Sequence, residues 1–156
     1  MIFGGNAMNI AGLLLPRSML IYLYEDFSIR QAIEKMKYHG YASMPVLTRD
    51  NQYVGTLTEG DLLWFLVDRE FCLQGGLYEM EKFSIKEAMR GKHDAPVRID
   101  TKLEDLIARA IVNDFVPVMD DRDSFIGIIK SGTILAKLAK DRKQLDYEEI
   151  FSAIVT

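Results

Sequence analysis

A chain that repeats its own spacing is constrained to fold into matched units, and this one does so. Pro45-Val46 followed by Gly55 recurs as Pro117-Val118 followed by Gly127, at a constant offset of 72 residues. Between these anchors PVLTRDNQYVG faces PVMDDRDSFIG, so Leu47 answers Met119, Tyr53 answers Phe125 and Val54 answers Ile126, around a polar centre. Apolar stretches on either side of a polar turn predict a β-hairpin, twice.

Ahead of each hairpin the apolar residues fall at helical spacing: Ile29, Ala32, Ile33 and Met36 in one copy, Leu103, Leu106, Ile107 and Ala110 in the other. Ser28 with Gln31, and Thr101 with Glu104, supply capping-box starts. β-rich stretches, Met19 to Tyr24 and Ala95 to Ile99, precede these helices. Second helices, roughly Asp61 to Arg69 and Thr133 to Lys140, follow the hairpins. Each unit reads strand, helix, strand, strand, helix, an α/β (α+β) fold of two repeats.

The second copy is shorter ahead of its hairpin, since Asp26 to Pro45 spans 19 steps and Asp100 to Pro117 spans 17, which predicts a shorter loop after its helix. Residues 70–83, with Gly75-Gly76, read as a linker between a first repeat over 8–69 and a second over 84–141. A tail over 142–156 carries Tyr147, Ile150, Phe151 and Ile154 at helical spacing, predicting a helix docked on its own module or on a second subunit. Repeats of about 60 residues bury too little to stand comfortably alone, so the copies are expected to pack sheet to sheet about a pseudo-twofold axis.

Composition narrows the function. With 156 residues, 49% of them hydrophobic, the chain can build a folded core. A formal charge of −4, without any run of five basic residues, argues against nucleic acid as a partner. One cysteine, Cys72, and two histidines, His39 and His93, allow neither an internal disulfide nor a His/Cys zinc cluster, and a reducing cytoplasmic setting fits best. The apolar run from Ile10 to Leu15 is too short for a membrane span and lacks the flanks of a signal peptide. Met8 reads as the natural start, with Gly4, Gly5, Asn6 and Ala7 as upstream filler.

Gly40-Tyr41-Ala42-Ser43-Met44-Pro45-Val46 enters the first hairpin and Gly55-Thr56-Leu57-Thr58-Glu59-Gly60-Asp61 leaves it. With the doubled framework, these motifs resemble the tandem CBS-domain pair, or Bateman module, and in particular the small stand-alone CBS proteins of bacteria. The resemblance runs from about Ile10 to Asp141. It implies a cleft between the repeats that holds an adenosyl ligand such as AMP, ADP, ATP, a cyclic dinucleotide, S-adenosylmethionine or a nicotinamide dinucleotide. It places the ribose on Thr58 and Asp61, and adenine against Ala42, Ser43, Met44 and Pro45 with the start of a strand near Ser18, Met19 and Leu20. It also implies a homodimer and a regulated protein partner.

The residues suit such a ligand. An ionised Asp61 offers acceptors to a ribose diol, while the Thr58 hydroxyl can donate or accept. The start of the following helix favours phosphate, and Gly60 leaves room for close approach. Thr58 to Asp61 is equally a plain capping box with no ligand. In the second copy the matching positions are Lys130 and Thr133, so the carboxylate is missing; either that cleft is empty, or Lys130 contacts phosphate of a ligand held by the first copy.

Other residues invite blander readings. His39 reads as a helix-end residue and His93 as a loop residue. Arg17, Arg98 and Arg122 could reach phosphates but face water by default. Trp64, Phe65, Phe71 and Tyr78 read as an aromatic cluster of core or dimer contact. No metal cluster or catalytic constellation is advertised, so the expected function is an adenine-nucleotide sensor that needs no cofactor and is not an enzyme. The alternative is a structural, dimerisation or protein-interaction module with vestigial clefts.

Overall fold

Two hairpins organise the chain, each entered from one helix and left by another. The computed structural model describes residues 10–69, 73–90, 95–141 and 147–155. The first half runs α1 (Ile10–Leu13), β1 (Leu15–Pro16), β2 (Leu23–Tyr24), α2 (Ile29–His39), β3 (Ser43–Leu47), β4 (Tyr53–Thr58) and α3 (Glu59–Asp68). The second runs β5 (Val97–Arg98), α4 (Leu103–Val112), β6 (Phe115–Met119), β7 (Phe125–Lys130), α5 (Ser131–Asp141) and α6 (Tyr147–Val155). The expected start at Met8 with residues 4–7, and Phe71, Cys72 and His93, lie outside the described residues.

The repeat is exact in register. Val46 lies opposite Gly55 and Val118 opposite Gly127, and each ladder shifts by one residue immediately afterwards. Each turn closes through equivalent bonds, the Thr48 N–H to Gln52 O at 2.8 Å and the Asp120 N–H to Ser124 O at 2.9 Å. The left-handed position falls on Asn51 (φ 66°) and Asp123 (φ 62°), residue types that tolerate it. Pro45 and Pro117 sit inside central strands without breaking them. The parallel neighbours β2 and β5 pair only with residues 46–47 and 118–119, so neither proline is asked for a bond on that side.

Leu23 pairs with Val46 and Val97 with Val118, which sets the offset of the leading strands at 74 against 72 in the hairpins. The missing two residues are shared between helix and loop, not taken from the loop alone. α2 has 11 residues and ends on Gly40 in the left-handed region (φ 69°), whereas α4 has 10 and a connector one residue shorter.

Three local expectations need correction. The stretch Met19 to Tyr24 is a strand only at Leu23–Tyr24: Arg17–Met19 winds into a single 3-10 turn after Pro16, closed by the Leu20 N–H on the Arg17 carbonyl at 3.1 Å. Ser28 and Gln31 form the expected capping box, but Thr101 and Glu104 do not. At the offset of 74 the N-cap falls on Lys102, which offers no acceptor, and Glu104 is buried. Nor do Trp64, Phe65 and Tyr78 cluster. Trp64 and Phe65 are about 100° apart on a helix, so Phe65 enters the core and meets Phe83 edge-on while Trp64 and Tyr78 stay exposed.

The chain divides into two compact units, Ile21–Asp94 and the pair of segments Met1–Leu20 with Ala95–Thr156. The first holds a three-stranded sheet, β2-β3-β4. Its core gathers Leu23, Ile29, Ala32, Met36, Met44, Val46, Leu57, Leu62 and Phe65, and also Met80, Ile85 and Ala88. The segment carrying Met80, read as a linker, and Ile85 and Ala88, read as the start of the second repeat, therefore contributes to the first core. It is pinned there by the Ile29 N–H on Phe83 O and the Ile85 N–H on Phe27 O, both at 2.9 Å. The second unit holds a four-stranded sheet, β1-β7-β6-β5, in which β1 from the N-terminal side lies antiparallel to β7. The tail helix α6 docks on α4, burying Ile150 in the second core.

Matching clamps hold each leading strand to its hairpin turn. Arg49 donates from Nε and Nη2 to the two oxygens of Asp26, each at 2.9 Å, and lies over the Tyr24 ring. In the second repeat the signs exchange places, Arg98 on the strand reaching Asp123 Oδ1 at 2.6 Å. The Arg49 guanidinium holds the Asp26 carboxyl below its ordinary 3.8. A folded value below the unfolded one contributes stability above the ordinary range, and that contribution is lost as pH falls through the folded value. Arg49→Gln is expected to flatten the acid limb of a melting-temperature profile below about pH 4; superimposable limbs would show that the clamp adds nothing.

Candidate functional site

In the first unit β4 runs directly into α3, and the sequence T-x-x-D folds as its chemistry dictates. Thr58 is the N-cap of α3: its Oγ1 accepts from the Asp61 N–H at 3.0 Å, while Asp61 Oδ2 accepts from the Thr58 N–H at 3.0 Å. The two side chains expected to hold a sugar are thus a reciprocal capping box. That pairing does not exhaust them. The Thr58 hydroxyl retains a proton to donate, and Asp61 Oδ1 has no hydrogen-bond partner among the described residues.

The helix start is tied to the residues ahead of β3. The Glu59 N–H is taken by the Ala42 carbonyl at 3.0 Å, and Ser43 stands opposite Thr58 in the ladder. Ala42, Ser43, Thr58, Gly60 and Asp61 are therefore brought to one end of the β3–β4 hairpin. Ala42 and Gly60 are exposed, and Ser43, Thr58 and Asp61 are half-buried. Met44 and Pro45 belong to the same end by position, but both are buried, Met44 within the first core. What they can offer a ligand is backbone. A Cβ on Gly60 would meet only Thr58 Oγ1, at an ordinary 3.6 Å. Among the described residues no contact requires glycine there.

Ser18, Met19 and Leu20 belong to the other compact unit, where the 3-10 turn that carries Ser18 and Met19 packs against β7. Ser18 and Met19 are exposed and Leu20 half-buried. The same unit holds Lys130 and Thr133. Lys130 ends β7 opposite Phe115, and Thr133 sits in the first turn of α5, both exposed. The Ser131 N–H meets the Asp114 carbonyl at 3.1 Å, the equivalent of Glu59 on Ala42. No carboxylate stands where Asp61 stands. Instead the Ser131 hydroxyl bonds back to the carbonyls of Ala110 and Asn113, fastening α5 to the end of α4. Sequence reasoning passed over Ser131, although the offset of 72 pairs it with Glu59.

Of the remaining candidates, Arg17 opens the 3-10 turn and is half-buried. His39 ends α2, stacked on Tyr41 at 5.7 Å between ring centroids. Arg98 is engaged by Asp123 and the Asp120 carbonyl, and Arg122 lies on the exposed hairpin turn. Among the described residues no three of His, Cys, Asp and Glu group so as to hold a metal ion, and no helix is long and apolar enough to cross a membrane.

A duplicated strand-helix-strand-strand-helix unit, with polar residues where each hairpin hands over to a helix, defines a paired-repeat module. Residues 13–68 match the CBS domain family. The chain is 24% identical to MJ1426, an uncharacterized protein of Methanocaldococcus jannaschii, over 85% of this chain and 96% of that one. Among solved structures it resembles CbpB in complex with c-di-AMP, with a TM-score of 0.75 and 21% identity over 86% of both chains. It also resembles CBSX2 in complex with AMP, with a TM-score of 0.67 and 21% identity over 86% of this chain and 98% of that one. These likenesses are of fold. The matched segment includes Leu15–Pro16, which in space belong to the second repeat's sheet.

Proposed function

We propose that the chain is a regulatory module that binds an adenine nucleotide at the β4–α3 junction and carries out no chemistry of its own. The observation that carries this reading is the capping box with capacity to spare: among the described residues, Asp61 Oδ1 and the Thr58 proton have no partner and no contact requires glycine at position 60. The diol of a ribose fits that pair, and the α3 N-terminus suits phosphate. The bound c-di-AMP and AMP of the two structural relatives support the ligand class. Signalling requires only that the nucleotide prefer one of two states of the module, which it then presents to a partner protein or to a second copy. A scaffold that pairs without ligand is the second reading, favoured by the second repeat, where Lys130 and Thr133 offer no carboxylate.

Calorimetric titration with AMP, ADP, ATP and c-di-AMP tests the choice, and Gly60→Ala sharpens it. Alanine in an exposed first helical turn is expected to stabilise the fold by about 0.5–1 kcal/mol. If a nucleotide passes over Gly60, the added methyl weakens its binding at the same time. A variant that melts higher and binds as the parent does would move the ligand away from this turn.

A further inference from the structure

The two junctions of hairpin and helix are built alike in backbone and differently in side chain. At each, the first amide of the helix is taken by the carbonyl just ahead of the hairpin, Glu59 by Ala42 and Ser131 by Asp114. In the first repeat α2 closes its own end: Gly40 turns left-handed, and the Gly40 and Tyr41 N–H groups both bond to the Met36 carbonyl. Nothing is asked of α3, and the exposed Glu59 side chain makes no hydrogen bond or ion pair among the described residues. α4 has no such turn. Asn113 leaves it extended (φ −133°, ψ 152°), so the carbonyls of its last turn must be met by side chains. Asn113 Nδ2 reaches back to the Arg109 carbonyl at 3.0 Å, and Ser131 Oγ stands 2.9 Å from the Ala110 carbonyl and within hydrogen-bond reach of that of Asn113. Both side chains are half-buried. The Ser131 hydroxyl has one proton for two carbonyl oxygens, and as a donor it is fully spent. The start of α5 thereby serves as the C-terminal cap of α4.

We infer that Ser131 closes the second junction from within, so that each chain takes one nucleotide, at the β4–α3 junction alone. This rests on the reading of that junction as the nucleotide site. A ligand hydroxyl arriving at the β7–α5 junction meets no carboxylate, since Thr133 stands where the first repeat has Asp61. To engage Ser131 it would have to draw that hydroxyl away from the end of α4 and leave carbonyls there unmet, a loss that a neutral hydrogen bond does not offset. Neither difficulty arises at β4–α3, where Asp61 Oδ1 and the Thr58 proton have no partner among the described residues. One repeat is thus the receptor and the other its fixed counterpart, tied by its own serine.

Calorimetric titration of the full chain with AMP and, in parallel, with c-di-AMP tests this, together with thermal melting of Ser131→Ala. No more than one molecule of either nucleotide is expected per chain. Ser131→Ala is expected to lower the melting temperature by about 2–6 °C, the loss of a half-buried hydrogen bond in a chain of this length. Its dissociation constant for nucleotide is expected to stay within twofold of the parent's. Two molecules of either nucleotide per chain overturn the closure. So does a Ser131→Ala variant that melts as the parent does, or one that binds at least tenfold more weakly. A parent that binds neither nucleotide overturns the reading of the first junction as well, which tells that failure from this one.

Discussion

Asp61→Ala is expected to weaken adenine-nucleotide binding ten- to hundred-fold, the equivalent of about 1.5–3 kcal/mol for hydrogen bonds to a charged group. The same substitution strips the Thr58 N–H of its acceptor and so loses half of the capping box. A helix cap is typically worth about 1 kcal/mol, so the melting temperature is expected to fall as well. Asp61→Asn separates the two effects. Its amide oxygen can still accept from Thr58, so the fold is retained, while the charge that strengthens a bond to a ribose hydroxyl is gone. Titration calorimetry and thermal melting on both variants decide between them. If asparagine melts like the parent and binds several-fold more weakly, Asp61 serves cap and ligand together; if both variants bind as the parent does, the residue is a cap and the ligand lies elsewhere.

The capping box bears on what could and could not be read ahead of the structure. The hairpins were readable because Pro-Val and Gly recur at fixed spacing, and their pairing repeats residue for residue. The helices were readable where apolar periodicity and caps agreed, as at Ser28. At Thr101 the motif was present but the frame was not, because the two missing residues had already shifted the N-cap to Lys102. At the site, T-x-x-D fixes a helix start whatever else it does, so the motif alone could not assign a ligand. The destination of residues 10–20 was hidden for a different reason. A two-residue strand carries no periodicity, and its partner lies more than a hundred residues away in the other repeat.

Gly127→Ala bears on that hidden pairing and is expected to be strongly destabilising. β1 lies against β7 with Leu15 opposite Ile128 and Pro16 opposite Gly127. A Cβ at Gly127 would stand 2.3 Å from the Leu15 carbonyl oxygen and 3.0 Å from Leu14 Cδ1. The side chain of Leu14 can turn aside; a backbone carbonyl held in a sheet cannot. Gly127 also has a φ of 157°, a backbone setting that L-residues rarely adopt. The matching Gly55 occupies β4, which among the described residues has β3 as its sheet neighbour, whereas Gly127 has β1 beside it as well. The cost of the clash is about 3 kcal/mol, at the upper end of ordinary single substitutions, or roughly 6–12 °C of melting temperature for a chain this long. Because the strain falls between β1 and β7, it has a local outlet in which β1 lifts from the sheet and the amides along that edge exchange rapidly with solvent. Hydrogen exchange read residue by residue would then show protection lost along β7 beside β1, with β6 and the first repeat unchanged. An alanine variant with the parent's melting temperature and an undisturbed exchange pattern would mean that β1 does not hold this place in solution.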